Sequence, residues 1–452
     1  MFEESSGTAL RTWFDRSGLS KIALAKAVTT LAVETGHHQI RPDGSRVRRW
    51  LDGERPRDPV PGLLAQVLSC HVGRPLTPED LGLGRGASDN TRYRGPLEII
   101  DGIQNATRAD LTRQPCDKAS EADATKVLPA LESWAYAPSR QLARSSGAGE
   151  LGTADVARMA AFTAMFRELE NRFGGASMLN TATAHLATAA RLLREGTYRE
   201  HVGRQLHAEL ADLAGVVGWA AHDAGNYPAA IRYLTLGVQS ARESGDRGLT
   251  AHLLQCLARI WGHVGDPARA SDCLGLALYG ARNASPVLRA GLHSLDARFA
   301  ALMGAEREAL RSVHHAREIF ADGDDQDVPS YASYLDYAEL ASTLGEVLLH
   351  LVHNTGRLTH APLAIEFLTE ASQGRAEPRI RSRVFDHVGL ARVQLAAGEL
   401  DGACDSAEEA LRIGAGLSSA RVRRRYTELA GETAGHSDSR LPALRERLLG
   451  AA

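Results

Sequence analysis

The sequence predicts an all-α protein, with a small bundle of short helices at its N-terminal end followed by an α-solenoid of stacked helical hairpins. Three observations carry this expectation. Apolar residues recur at helical spacing through most of the chain. From Ala154 onward, helical segments of about 12–18 residues alternate with short Gly or Asp turns. Those turns also resemble one another: AHDAGNYPAAIRYL (221–234), GHVGDPARASDCL (262–274), ALMGAEREAL (301–310) and QLAAGELDGACDSAEEAL (394–411). Gly225 to Gly265 is 40 residues, Gly265 to Gly304 is 39, and Gly356 to Gly398 is 42. The longer step of 52 between Gly304 and Gly356 implies an insertion, placed at the acidic stretch ADGDDQD (321–327). One such hairpin cannot bury its own apolar stripe, so successive hairpins must stack.

Taken in order, Leu10, Trp13 and Phe14 form the first short helix, which Gly18 ends. Ser20 caps a second helix carrying Ile22, Leu24, Ala25, Val28 and Leu31. A polar turn runs from Glu34 to Gly44, and Asp43 caps a short basic helix, SRVRRWL, that ends at Gly53. Pro61 opens a fourth helix through Leu63, Leu64, Val67 and Leu68, and Thr77-Pro78 starts a last turn. This unit is assigned residues 1–82. Residues 83–153 read as a linker because of GRGASDN (84–90) and RSSGAGELG (144–152). Between them lies an apolar piece with Ile99, Ile100, Leu128, Leu131, Trp134 and Tyr136, which must pack against something. The repeat array is assigned 154–435 and a C-terminal helix 436–452.

Composition narrows the function. The 452 residues carry a formal net charge of −3, with 44% hydrophobic and 24% charged residues. No apolar run approaches the roughly 18–20 residues of a membrane span, and the acidic, amphipathic start is unlike a signal peptide. Five scattered cysteines (Cys70, Cys116, Cys256, Cys273, Cys404) form no CxxC pair, which points to a reducing compartment and a soluble cytoplasmic protein. Only Lys21, Lys26, Lys118 and Lys126 are lysine, so 48 of the 52 basic residues are arginine. Near-neutral charge excludes a protein that coats nucleic acid along its length, so a DNA-binding surface must be local.

Such a surface is present. Residues 41–57 hold six arginines against three acids. Within the short basic helix, Val47 and Trp50 lie three apart and face the core, leaving Ser45, Arg46, Arg48 and Arg49 on the other faces. A recognition helix presents its N-terminal residues to base edges, and arginine pairs bidentately with guanine. LSKIALAKAV (19–28) followed by DGSRVRRWLDGERPR (43–57) resembles the XRE-type, Cro/repressor-like helix-turn-helix over about residues 10–68. The resemblance implies DNA contacts by Lys21, Ser45, Arg46, Arg48, Arg49, Arg55 and Arg57. Lys21 and Ala23 stand where the family usually carries a DNA-contacting glutamine and a capping-box glutamate, and the turn before the basic helix is longer than usual. Lys21 retains the ability to bind phosphate.

Gly218-Trp219 with Tyr227, Pro228, Ala229 and Ala230 resembles the tetratricopeptide signature, in which small residues let paired helices approach. FRELENRFGGAS (166–177), together with the long turn, is similar to actinobacterial regulators that join an XRE-type domain to tetratricopeptide-like repeats. The named Ala, Gly and apolar residues read as core packing. The resemblance implies a transcription regulator that binds double-stranded DNA at a pseudo-palindromic operator, forms a homodimer, and receives a peptide, small molecule or protein in its repeat groove. Relatives influence development and secondary metabolism.

Other candidates carry less. Adjacent pairs His37-His38 and His314-His315 do not converge on one metal. Asp322, Asp324, Asp325 and Asp327 lack the central Gly and terminal Glu of a calcium loop. Cys70, Cys256 and Cys273 sit in apolar helical contexts and read as core. No GxSxG, Walker A or strand-linked GxGxxG pattern occurs, so no catalytic residue, metal or cofactor is expected and the chain does not read as an enzyme. The rival reading is an interaction scaffold whose helix-turn-helix has lost DNA binding. Lys21 and Ala23 favour it; Arg46, Arg48 and Arg49 oppose it.

Overall fold

A computed structural model describes residues 7–34, 39–54, 56–57, 59–72, 76, 81, 83, 95–112, 127–129, 131–132, 134–138, 142–144, 146–147, 149–323 and 328–452. These residues are helical almost throughout, with isolated β-bridges and no strand among them. The chain is an all-α protein in which a short-helix bundle precedes a helical solenoid. It divides into two compact units, Met1–Arg92 and Tyr93–Ala452.

The first unit packs α1 (Gly7–Ser17), α2 (Lys21–Glu34), α3 (Gly44–Leu51) and α4 (Val60–Val72) around one core. Leu10, Leu24, Val28, Val47, Leu64 and Leu68 are almost wholly buried there. Gly18 turns the chain between α1 and α2 with φ +66°, a conformation that costs other residues more. Ser20 then caps α2, its Oγ accepting from the Ala23 amide at 3.1 Å, so the cap survives without a box glutamate.

The second unit begins with α5 (Pro96–Leu111), then α6 (Thr153–Phe173) and α7 (Gly175–Glu195). Five hairpins follow: α8 (Glu200–Asp223) with α9 (Tyr227–Ser244), α10 (Arg247–Val264) with α11 (Pro267–Gly280), α12 (Pro286–Leu302) with α13 (Glu306–Ala321), α14 (Tyr337–Thr355) with α15 (Ala361–Gly374), and α16 (Ile380–Ala397) with α17 (Leu400–Ile413). Helices α18 (Ala420–Glu432) and α19 (Leu441–Gly450) end the array. All five glycines used to set the repeat sit inside these hairpins with φ between +66° and +93°. In the first two hairpins the next helix is then capped by Asn226 or Asp266, with Pro228 or Pro267 in its first turn. Because Gly, cap and Pro act within a few residues, the periodicity is readable without tertiary information. The long step between Gly304 and Gly356 is the connection from α13 to α14, which contains the short 3₁₀ turn Ser330–Ala332.

The segment 83–153 differs from its reading as a linker. Helix α5 packs on α7 and α9, with Ile99, Ile100 and Ile103 fully buried. Asp110 accepts from Arg232 at 2.7 Å and from the Tyr233 hydroxyl at 2.5 Å. The stretch 144–152 is strapped to the α7–α8 turn. Arg144 and Tyr198 exchange backbone bonds of 2.8 and 2.9 Å, and the Thr197 amide donates to the Gly149 carbonyl at 2.7 Å. A Cβ on Gly147 would lie 2.2 Å from the Glu195 carbonyl oxygen, so this glycine permits close backbone approach and is not part of a loose tether. Limited trypsin digestion should therefore cut near the Arg92/Tyr93 boundary before it cuts within 144–152. Early appearance of a fragment starting inside 144–152 would contradict that order.

The solenoid also closes on itself. Helix α16 packs against α6, and the Ser418 amide donates to the Phe173 carbonyl at 3.2 Å. Arg381 and Glu170 form a buried ion pair 211 positions apart. Asp223 ties the seam together, accepting from the Gly175 amide at 2.8 Å and from the Ser419 hydroxyl at 2.7 Å. The stretch 166–177 is therefore the closing edge of the array. Its glycines allow the backbones to meet, since a Cβ on Gly175 would lie 2.5 Å from the Ala220 carbonyl oxygen.

Candidate nucleic-acid interface

Helix α3 begins at Asp43, whose carboxylate accepts from the Arg46 amide at 2.7 Å. Val47, Trp50 and Leu51 are 1%, 4% and 3% exposed and fix the helix to the core of the first unit. With that ridge inward, Ser45, Arg46, Arg48 and Arg49 all face solvent. Eight residues of α-helix are about 12 Å long, comparable with the width of a DNA major groove of about 12 Å.

The arginines are held by weak ion pairs. Glu54 sits 3.5 Å from Arg46 and 3.6 Å from Arg49, which brings those two guanidinium groups to one side. Arg48 leans toward Asp52 at 3.5 Å, and Asp52 also accepts from Arg11 at 2.7 Å. Every member is between 41% and 71% exposed, so each pair contributes about 0–1 kcal/mol, and a phosphate or base edge can replace the carboxylate at small cost. Lys21 is exposed at the first position of α2, and Arg57 is exposed just before α4. Neither is joined by a described contact to the α3 arginines. Arg55 lies outside the described residues.

The remaining candidates separate in the same way. His314 pairs with Glu318 at 3.2 Å, while His315 meets His293 edge-on with ring centroids 4.4 Å apart, so the two neighbours point to different partners. His37 and His38 lie outside the described residues, as do Asp324, Asp325 and Asp327; Asp322 ends α13 as its C-cap. No group of three or more metal-ligating side chains converges among the described residues. Cys256, Cys273 and Cys404 are free and buried. Burial pushes the Cys256 thiol up to about 12, which leaves it unreactive at neutral pH. Cys116 and the side chain of Cys70 lie outside the described residues. No described helix is long and apolar enough to cross a membrane.

One set of residues was missed by the sequence reading. Trp219, which its place beside Gly218 predicts to be helix-pair packing, lines a cavity inside the second unit together with eight arginines. Singly spaced arginines on helices look like solvated faces, so only the closed array reveals that they converge.

Residues 10–84 match a family model described as the SP15 N-terminal domain, a range that takes in most of the four-helix bundle and none of the second unit. No curated protein matches the chain.

Proposed function

We propose that the chain is a sequence-specific DNA-binding transcriptional regulator, in which the helical array dimerises and receives an effector. The observation that carries this reading is the exposed Arg46–Arg48–Arg49 face of α3, fixed by the buried Val47, Trp50 and Leu51. A rigid short helix with outward arginines supplies both phosphate attraction and guanine readout. An effector would then act by favouring one arrangement of two subunits, setting the spacing of two recognition helices against half-sites about one helical turn apart.

The scaffold reading draws on Asp52 and Glu54, which hold the same three arginines by ion pairs. Their half-exposed geometry makes them too weak to block a polyanion.

The test is selection of duplexes from a random library by the full chain, followed by titration of the best site. Arg46→Ala should cost about 1–3 kcal/mol, roughly 5- to 150-fold, and relax preference at one base position. Lys21→Ala should weaken all sequences about equally and lower the salt slope by roughly one. If Arg46→Ala retained full affinity and specificity, the scaffold reading would replace this one.

A further inference from the structure

The inner face of the repeat array is partly enclosed. Contact between α6 and α16 leaves two adjoining cavities of about 130 and 230 Å³, whose walls share Arg259, Arg298, Phe385, Arg421 and Arg425. Sites that hold metabolites are commonly about 300–1,000 Å³, whereas a docked helix about 10 Å across needs an open groove. The space suits a small molecule.

Its charge is one-sided. Eight arginines and four carboxylates line the first cavity. Six arginines, three histidines and a single carboxylate, Glu428, line the second. Most arginines of the first cavity have close partners: Arg167 with Asp212 at 2.5 Å, Arg298 with Glu346 at 2.7 Å, Arg375 with Asp386 at 2.7 Å, Arg379 with Asp336 at 2.8 Å, Arg381 with Glu170, and Arg425 with Glu346. Two differ. Arg259 and Arg421 each stand 3.9 Å from their nearest carboxylate, and neither side chain makes a hydrogen bond among the described residues. The Nε of Arg259 is buried without an acceptor. Arg421 lies between Trp219 and Phe385, 4.9 Å from each ring centre, which fixes the plane of its guanidinium at the cavity wall. Burial, and then the charge of Arg381, push Arg421 down to about 9, so it is still a cation at neutral pH.

The histidines do not offset this. His222 is 1% exposed and neither ring nitrogen has a partner. Burial, with the charge of Arg421 next, holds it far below the usual imidazole range. Burial and Arg421 likewise push His263 down to about 3. Both rings are held toward the neutral form, and the His222 nitrogens are free to donate or accept. Arg424, half exposed beside His263 and 3.0 Å from Glu428, marks the solvent side of the second cavity.

A guanidinium largely withdrawn from water, with its nearest carboxylate 3.9 Å away and no hydrogen bond to it, is costly unless a ligand supplies a closer partner. Arginine forks match oxyanions, and aromatic walls around a fixed cation suit a flat organic body. We propose that this interior is a binding site for a small multivalent oxyanion, a molecule bearing phosphate groups or several carboxylates, with Arg259 and Arg421 as its principal contacts. This deepens the sensory half of the function proposed above and rests on that reading only for the ligand acting as an effector.

The full chain is titrated calorimetrically, without DNA, with pyrophosphate, ATP, citrate, and adenosine as the uncharged control. At least one of the three anions should bind one per chain with a Kd below about 100 µM, and adenosine should not bind. Tighter pyrophosphate or ATP identifies a phosphate ligand; tighter citrate identifies a polycarboxylate. Arg421→Met, which keeps the contacts with Trp219 and Phe385, and Arg259→Met should each weaken binding at least about tenfold. Both should leave the ligand-free thermal midpoint at or above that of the parent, because each removes a poorly paired cation while Glu339 and Asp223 keep their closer arginines, Arg375 and Arg381. Arg412→Ala on the exterior should change neither. Absence of binding by all three anions at about 1 mM, unchanged affinity in both methionine variants, or a lowered midpoint in both would overturn the proposal. Arg46→Ala should bind the anion like the parent, so failure of DNA binding with anion binding intact counts only against the DNA reading.

Discussion

Arg381→Met is expected to destabilise the second unit by about 3–5 kcal/mol, read as a shift in its urea unfolding midpoint. The side chain is 7% exposed and pairs with Glu170, itself 5% exposed, with Asp223 3.5 Å away. Losing the guanidinium leaves the Glu170 carboxylate buried against an apolar neighbour. Asp223 suffers less, because the Gly175 amide and the Ser419 hydroxyl still donate to it. The double variant Arg381→Met with Glu170→Leu should therefore recover most of the loss. Equal destabilisation by the single and double variants would show that the seam depends on packing alone. The contrast with Arg421 is one of pairing: the same substitution destabilises where a carboxylate is orphaned and not where Asp223, 3.9 Å from Arg421, keeps a closer cation in Arg381.

The second large effect is expected in DNA affinity. On the proposed DNA-binding reading, the eight residues of α3 read few base pairs, so specific binding requires two copies held together. Residues 1–92 alone should be monomeric and weak, and the full chain should be a dimer binding a pseudo-palindrome roughly 10²–10⁴-fold more tightly. Sedimentation and fluorescence anisotropy of both species measure this. Helix α6 is the expected interface: Phe162, Met165 and Phe173 are 38%, 43% and 46% exposed, and their spacing puts them on one stripe. Met165→Glu should dissociate the dimer and carry DNA affinity down with it. A full-length monomer at tens of micromolar that still binds one operator tightly would refute the arrangement.

Much of this architecture was legible because its determinants are local. Gly225, Gly265, Gly304, Gly356 and Gly398 mark hairpin turns that need a left-handed residue. Val47 and Trp50 point inward because their spacing leaves no other face for the core. The strap at 144–152 was misread because Gly and Ser look the same whether they give slack or permit close approach. Only the backbone of 195–198, about 50 residues away, decides between them. The closed array was invisible for a stronger reason. Glu170 and Arg381 leave no periodic trace, and each alone resembles a solvated charge on a helix. The arginine-lined cavity follows from that closure, so it could not be read before it.

The seam has a consequence for how the chain is made. In an open solenoid each repeat is complete once its neighbour has been synthesised. Here the face of α6 waits for α16, and 211 residues separate Glu170 from Arg381. At about 5–20 residues per second, roughly 10–40 s pass between the emergence of the two charges from the ribosome. During that interval the N-terminal half of the array has hairpins but no closing surface, and a bare apolar helix face invites association with other nascent chains. Ring closure should then be the slow, late step of folding, set by the entropy of bringing distant segments together rather than by any one hairpin.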